Sequence, residues 1–237
     1  MNQVTRHQKR VTVPRSWPIA RKTHKWVAKT SPGPHSSAES MPLVMVVRDM
    51  LKLADNSREA KRILYEGKVQ VDGKVVKDHK LPIGIFDIIS VPPLNQNYRM
   101  LRDERGMFFL KPIESGDLKK LVRVENKTTL SGNKQQLNLN DGSNRLEEGE
   151  YRSGDSLILS IPEKKIEDRI EFKEGNLAVV VGGKHSGQIG QIKSIHVMKS
   201  SRPNRVVISG EKEFETIVDY IFMIGKDQPA IGLGAVR

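Results

Sequence analysis

The sequence predicts a multidomain, mainly β chain that contains one small α+β module and begins with an extended basic N-terminal arm. Three observations carry this expectation. Helical periodicity is confined to residues 43–67, two-residue alternation with frequent turn signals follows it, and residues 1–41 show no sustained period of either kind. With 237 residues the chain has room for one large domain or two to three small ones. Its 37% hydrophobic content is enough for cores, each of them small if several modules share it.

The arm comes first. Residues 1–40 hold eight Lys/Arg against the single acid Glu39, whereas residues 41–237 hold 32 basic and 27 acidic side chains. Most of the formal charge of +12 therefore sits in the first sixth of the chain. A basic arm on a near-neutral body is suited to threading between phosphates. Arg6, Lys9, Arg10, Arg15, Arg21, Lys22 and Lys25 are interleaved with Trp17, His24 and Trp26. An indole can stack on a base, and Pro14, Pro18, Pro32 and Pro34 keep the segment extended. Trp17 and Trp26 can equally dock the arm on the body. The arm is expected to order only on a partner. It has no apolar stretch of the kind a secretory signal needs, and its prolines argue against the amphipathic helix of a transit peptide.

The helical part follows. Leu43, Val44, Val46, Val47, Met50, Leu51 and Leu53 share one broad arc of a wheel, with Arg48, Asp49 and Lys52 opposite. Ala54 to Ser57 breaks that helix. A second begins at Asn56 or Ser57, with Glu59 placed as in a capping box and Gly67 as the C-terminal cap. On this second helix Arg58, Lys61, Arg62, Tyr65 and Lys68 cover one arc of about 120°, opposite Ala60, Ile63 and Leu64. Alone, that arc is an ordinary solvated face. Lys74 extends its charge into the next element, and a ring among guanidinium groups can stack on a base while they hold phosphates. That next element alternates around Asp72-Gly73, the signature of a hairpin with a type I′ turn. A third apolar run, Ile85 to Val91, ends at Pro92-Pro93. Turn signals at Glu104-Arg105-Gly106, Ser131-Gly132-Asn133, Asp141-Gly142-Ser143 and Ser153-Gly154-Asp155 then mark a β-rich stretch over 95–170. Short strands recur from Ile170 onward.

The run from Ser57 to Val76 resembles the compact RNA-binding domain first described in bacterial ribosomal protein four, which also occurs in pseudouridine synthases and some tRNA synthetases. Gly175 to Ile192, with Val179-Val180-Val181-Gly182-Gly183-Lys184-His185-Ser186-Gly187, is similar to the KOW motif of ribosomal proteins and transcription elongation factors. Glycines there permit positive φ and close backbone approach, and Lys184 and His185 stand at the turn tip within reach of a phosphate. Pro14 to Ile19, His24-Lys25-Trp26, Ser31 to His35, both motifs and Phe214 to Gly225 together look like the archaeal and eukaryotic small-subunit ribosomal proteins of the 4e family. Thr128-Thr129, Gln136 to Leu139 and Asp141-Gly142 fit the middle domain of that family. The resemblance covers nearly the whole chain, and its compact length is closer to the archaeal members. Before Thr5 the chain is shorter and less basic than the family pattern.

The resemblance implies four parts: a basic extended arm over 1–41, a helix-helix-hairpin RNA-binding domain over 42–93, a β-rich central domain over 95–170, and a KOW-containing SH3-like β-barrel with a C-terminal extension over 171–237. It implies a structural constituent of the 30S subunit, located in the cytoplasm within the ribosome. Its partners would be 16S-type rRNA and neighbouring small-subunit proteins, with no membrane and no homo-oligomer. The two other readings are a KOW-type transcription elongation factor and an RNA-modifying enzyme that borrows the same RNA-binding domain. The first expects a larger α/β domain ahead of the KOW region. The second expects a catalytic domain after residue 95, with a catalytic Asp in a recognisable setting.

Residue chemistry points away from catalysis. The chain has no cysteine, which removes disulfides, thiolate zinc and thiol nucleophiles. Six histidines lie scattered without metal-ligand spacing. The pairs Asp103-Glu104 and Glu147-Glu148 fall in turn-rich, polar sequence, where solvation is expected. Gly-Gly-Lys-His-Ser lacks the spacing of a P-loop, because position 178 is Ala and His185 follows Lys184. There is no Gly-x-Ser-x-Gly motif and no dinucleotide fingerprint. No cofactor, metal or catalytic residue is expected.

Overall fold

The structure is a computed structural model and describes residues 7–114, 116–132, 134–210, 213–226 and 228–232. The chain divides into two compact units, one formed by residues 1–101 with 107–115 and the other by 102–106 with 116–237. It is mainly β, with few helical residues.

In the first unit, β1 (Gln8–Lys9) pairs antiparallel with β2 (Trp26–Val27), and β3 (Met41–Pro42) with β6 (Pro82–Ile83). Helix α1 (Leu43–Met45) runs on into one π-helical turn, Val46–Met50. Helix α2 spans Ser57–Tyr65. A five-stranded sheet in the order β5-β4-β7-β8-β9 completes the unit. Its strands are β4 (Gln70–Val71), β5 (Lys74–Val75), β7 (Ile88–Val91), β8 (Gln96–Arg102) and β9 (Phe108–Ile113). Between β4 and β5, Asp72 and Gly73 both take positive φ, 50° and 74°, which is the backbone that gives a two-residue hairpin the twist of its strands.

Pro92-Pro93 does not end this sheet. The two prolines open a single 3-10 turn, Asn95 adopts a left-handed conformation (φ 50°), and the chain returns as β8 antiparallel to β7. The division expected at 93–95 therefore falls between two paired strands.

Both ends of α2 are fixed by side-chain and backbone chemistry legible in the sequence. Asn56 Oδ1 accepts from the Arg58 and Glu59 amides at 2.9 and 3.0 Å. Glu59 returns the bond, accepting from the Asp55 amide at 3.0 Å and from Asn56 Nδ2 at 2.6 Å. At the far end the Gly67 amide donates to Leu64 O and the Lys68 amide to Ile63 O. These are the paired bonds of a Schellman cap, and Gly67 supplies its positive φ of 72°.

Residues 7–40 are anchored on the first unit by buried side chains. Trp17 is 3% exposed and joins Val13 in the core made by Leu43 to Val47, Ala60, Leu64, Ile89, Met100 and Phe108. Its indole N–H donates to Ser40 O at 2.9 Å, and the Phe108 amide donates to Ser16 O at 2.7 Å. The charge count that singled out an arm is blind to this, because one buried indole outweighs several solvated lysines in the energetics of docking.

The second unit holds two five-stranded antiparallel sheets. One has the order β12-β11-β10-β13-β14, from β10 (Lys119–Thr129), β11 (Gln135–Leu139), β12 (Asn144–Leu146), β13 (Ser156–Ser160) and β14 (Ile166–Ile170). The first half of β10 is buried and the second exposed, with a register shift between Val124 and Asn126. The other sheet has the order β18-β17-β16-β15-β19, from β15 (Leu177–Val180), β16 (Ile189–His196), β17 (Arg205–Ser209), β18 (Glu213–Ile217) and β19 (Ile221–Gly225). Arg123 ties the two sheets together. Its guanidinium donates to the carbonyls of Asp219 at 2.7 Å and Ile221 at 3.2 Å, and lies 5.0 Å from the Phe222 ring centroid. The Ser156 hydroxyl accepts from the Met223 amide at 3.0 Å.

Candidate nucleic-acid interface

Helix α2 turns Ala60 and Leu64 inward and leaves Arg58, Arg62 and Tyr65 in solvent. Arg62 is 81% exposed by side chain and Tyr65 63%. Lys61 is half-buried, and Lys68 and Lys74 are exposed. Five of the six expected residues are thus exposed and Lys61 half-buried, and the α2 face is not uniformly positive. Glu66 sits within it, bonded to Arg62 Nε at 2.9 Å and Lys68 Nζ at 2.6 Å. These bonds, from Lys68 first and then Arg62, hold the Glu66 carboxyl below its ordinary value. Such exposed pairs are weak and exchange readily, so Arg62 and Lys68 can move to phosphates. Arg58 has no such competitor among the described residues. His79 lies nearby. Burial first, then the Lys61 charge, push its pKa below the ordinary imidazole value.

In the arm the expected contacts divide. Lys9, Arg15, Lys22 and Lys25 are exposed. Trp26 is 51% exposed, with Lys25 Nζ 5.3 Å from its ring centroid and the His7 ring 5.6 Å away. Arg10 corrects the sequence reading: it is 6% exposed, its guanidinium donates to Ala20 O, and its amide donates to Lys25 O. Arg21 likewise donates to Pro14 O at 3.1 Å and Val11 O at 3.4 Å. Both guanidinium groups satisfy carbonyls of the folded arm, a structural use that charge counting does not separate from phosphate binding. Arg6 lies outside the described residues.

At the Gly-rich turn of the second unit Lys184 is exposed, whereas His185 stacks on Phe214 (4.1 Å between centroids, 14° between planes) and pairs with Gln188 at 3.2 Å. The glycines serve the chain itself. A Cβ on Gly187 would come within 3.0 Å of the Asp103–Glu104 backbone, and one on Gly182 within 2.9 Å of the Tyr220 ring. The loop between β16 and β17 exposes Lys199 and Arg202. They escaped the sequence reading because two cations in eight residues carry no periodic signal.

Comparison with known proteins places these features. An S4 domain model matches residues 41–89, the segment of α1, α2 and the first hairpin, so the chain is one of the modular proteins built around that domain. An RS4NT domain model matches residues 4–38, and the model described as Ribosomal family S4e matches residues 94–166. The small ribosomal subunit protein eS4 of Methanocella arvoryzae is 52% identical over 95% of this chain and 96% of its own length. The protein of that name from Archaeoglobus fulgidus is 48% identical over 96% and 98%. The crystal structure of the 30S ribosomal protein S4e from Thermoplasma acidophilum superposes with a TM-score of 0.69 at 34% identity, covering 80% of this chain and 96% of that one. This chain belongs to the ribosomal S4e family.

Proposed function

We propose that this chain is a structural, non-catalytic constituent of the small ribosomal subunit that binds 16S-type rRNA, and that it works in the cytoplasm as part of the ribosome. The observation that carries the reading is the solvent-facing cationic surface of α2, with Tyr65 inside it, in a chain that belongs to the S4e family. The mechanism is binding. Arg58, Lys61, Arg62, Lys68 and Lys74 neutralise phosphates and release counterions, while Tyr65 offers a ring to a base or ribose. Lys9, Arg15, Lys22, Lys25 and Trp26 extend the contact along the arm, and Lys184 adds one from the Gly-rich turn. We read the organisation as an N-terminal segment (1–41), an S4-type domain that begins at 42 and whose sheet is continued by β8 and β9, a central β domain that ends near 170, and a KOW-type, SH3-like barrel with its extension (171–237). Neighbouring small-subunit proteins are the other partners.

The test is fractionation of a cell lysate on a low-salt sucrose gradient, with the chain located by mass spectrometry. Stoichiometric migration with the small subunit through a moderate salt wash is expected. Migration with RNA polymerase, or a free protein that modifies RNA, would overturn the proposal.

A further inference from the structure

A cleft of about 640 Å³ opens in the first unit between the arm and the start of α2. Thr23, His24 and Trp26 line one side, and Arg48, Asp49 and Asp55 line the other. Most of its polar groups are already engaged. Arg48 is held by Asp49 at 2.9 Å and by the Ser57 hydroxyl at 2.6 Å. Asn56 caps α2, and the Thr23 hydroxyl bonds Ala20 O at 3.3 Å. Two polar edges, His24 and the Asp55 carboxylate, have no hydrogen-bond or ion-pair partner among the described residues. Arg10, engaged with Ala20 O, and the apolar Pro18 and Ile19 complete the lining, and Trp26 presents a half-exposed indole to it.

The geometry points to a pocket for one unpaired RNA base, with guanine preferred, stacked on Trp26 and hydrogen-bonded to Asp55. This deepens the rRNA-binding reading and rests on it. The chemistry follows from the walls. A phosphate is repelled by the unpaired Asp55 carboxylate, whereas the cleft's guanidinium groups, Arg10 and Arg48, are already engaged, so the charged part of a nucleotide stays outside the cleft. An indole accepts the π-face of any base. A carboxylate only accepts hydrogen bonds, so it selects the base whose Watson–Crick edge offers the most donors to one acceptor pair. Guanine offers two side by side, N1–H and the N2 amino group. Adenine and cytosine offer one amino group and uracil one ring N–H. Single-stranded loops and bulges of folded RNA present bases splayed out for recognition of this kind.

The test uses the full chain and five heptameric oligoribonucleotides, oligo-U with G, inosine, A, C or U at the centre, at low salt. Binding is read by anisotropy and by quenching of tryptophan fluorescence. Trp17 is buried and Trp26 half-exposed, so the quench reports Trp26, and Trp26→Ala must abolish it. The central-G oligomer is expected to bind about fivefold or more tightly than the central-U one, the low end of discrimination by a bidentate base contact. Inosine, which lacks the N2 amino group, should lose most of that advantage. Asp55→Asn should flatten the order, bringing the central-G affinity to within about twofold of the central-U one. Neither side chain belongs to the core, and a melting curve of each variant checks the fold. Equal affinities for all five centres, or a base order that survives Asp55→Asn, would overturn the guanine pocket and leave the rRNA reading standing. Failure of the chain to bind any oligomer, or rRNA itself, would overturn both.

Discussion

Replacing Arg58 with Gln removes a solvent-facing guanidinium that no carboxylate among the described residues competes for, so its effect on RNA binding should be the cleanest on the α2 face. Each phosphate neutralised contributes about 0.7 to 0.9 to the slope of log K against log salt. Losing one contact should flatten that slope by this amount. Affinity at 0.1 M salt should then fall about five- to eightfold relative to 1 M. Arg62→Gln should flatten the slope by less than Arg58→Gln, because Arg62 must first release Glu66, bonded at 2.9 Å. The double replacement should flatten it by roughly one to two units. Glu66→Gln should act oppositely and tighten binding, since it frees Arg62 and Lys68 together and removes an anion from the RNA-facing surface. The assay is filter binding or anisotropy with an rRNA fragment from 50 to 300 mM salt, a range over which each phosphate contact changes affinity by about four- to fivefold. An unchanged slope for the double variant would refute the reasoning and make this face merely solvated.

Other consequences can be checked on the isolated protein. Trp17→Ala should destabilise the first unit by about 3–5 kcal/mol, the usual cost of emptying a buried aromatic site, while Trp26→Ala should change it by about 0.5 kcal/mol or less. Urea unfolding separates the two. Gly187→Ala should destabilise the second unit by about 1–3 kcal/mol, because φ is 81° there and the new Cβ meets the Asp103–Glu104 backbone at 3.0 Å. Since the folded pKa of His79 is lowered, by burial first and then by Lys61, the unfolded chain takes up the proton more readily. Stability should therefore fall as pH drops through the unfolded value of about 6.5 toward the lowered folded one. Lys61→Gln should raise the His79 pKa in an NMR titration, and no upward movement would contradict the assigned cause.

Local chemistry was legible wherever neighbours in sequence are partners in space. Asn56, Glu59 and Gly67 announce the two ends of α2, and Ala60 with Leu64 against Arg58 with Arg62 announce its two faces. What stayed illegible depends on partners far along the chain. Nothing near Trp17 reveals that Ser40 accepts its N–H or that Phe108 lies against the same core. Nothing near Arg10 or Arg21 reveals the carbonyls they satisfy, and an Arg in a basic segment looks the same whether it holds a phosphate or a turn. The Pro92-Pro93 pair signals a stop in the strand but not the reversal at Asn95 that brings β8 back beside β7. In the sequence Asp55 is only part of a helix break, because the cleft around it exists only once the arm has folded over the start of α2.

The bond between Ser16 and Phe108 has a consequence for the order in which the protein is made. The arm leaves the translating ribosome well before Met100 and Phe108, which help close the core over Trp17. At a synthesis rate of about 5–20 residues per second, the arm waits about 5–20 s for the strand that secures it. For that interval the core around Trp17 lacks Phe108, while the arm's cations are already present. A segment synthesised well before Phe108 thus depends on it for its closure, and RNA met before that point would meet Trp17 in a core still incomplete.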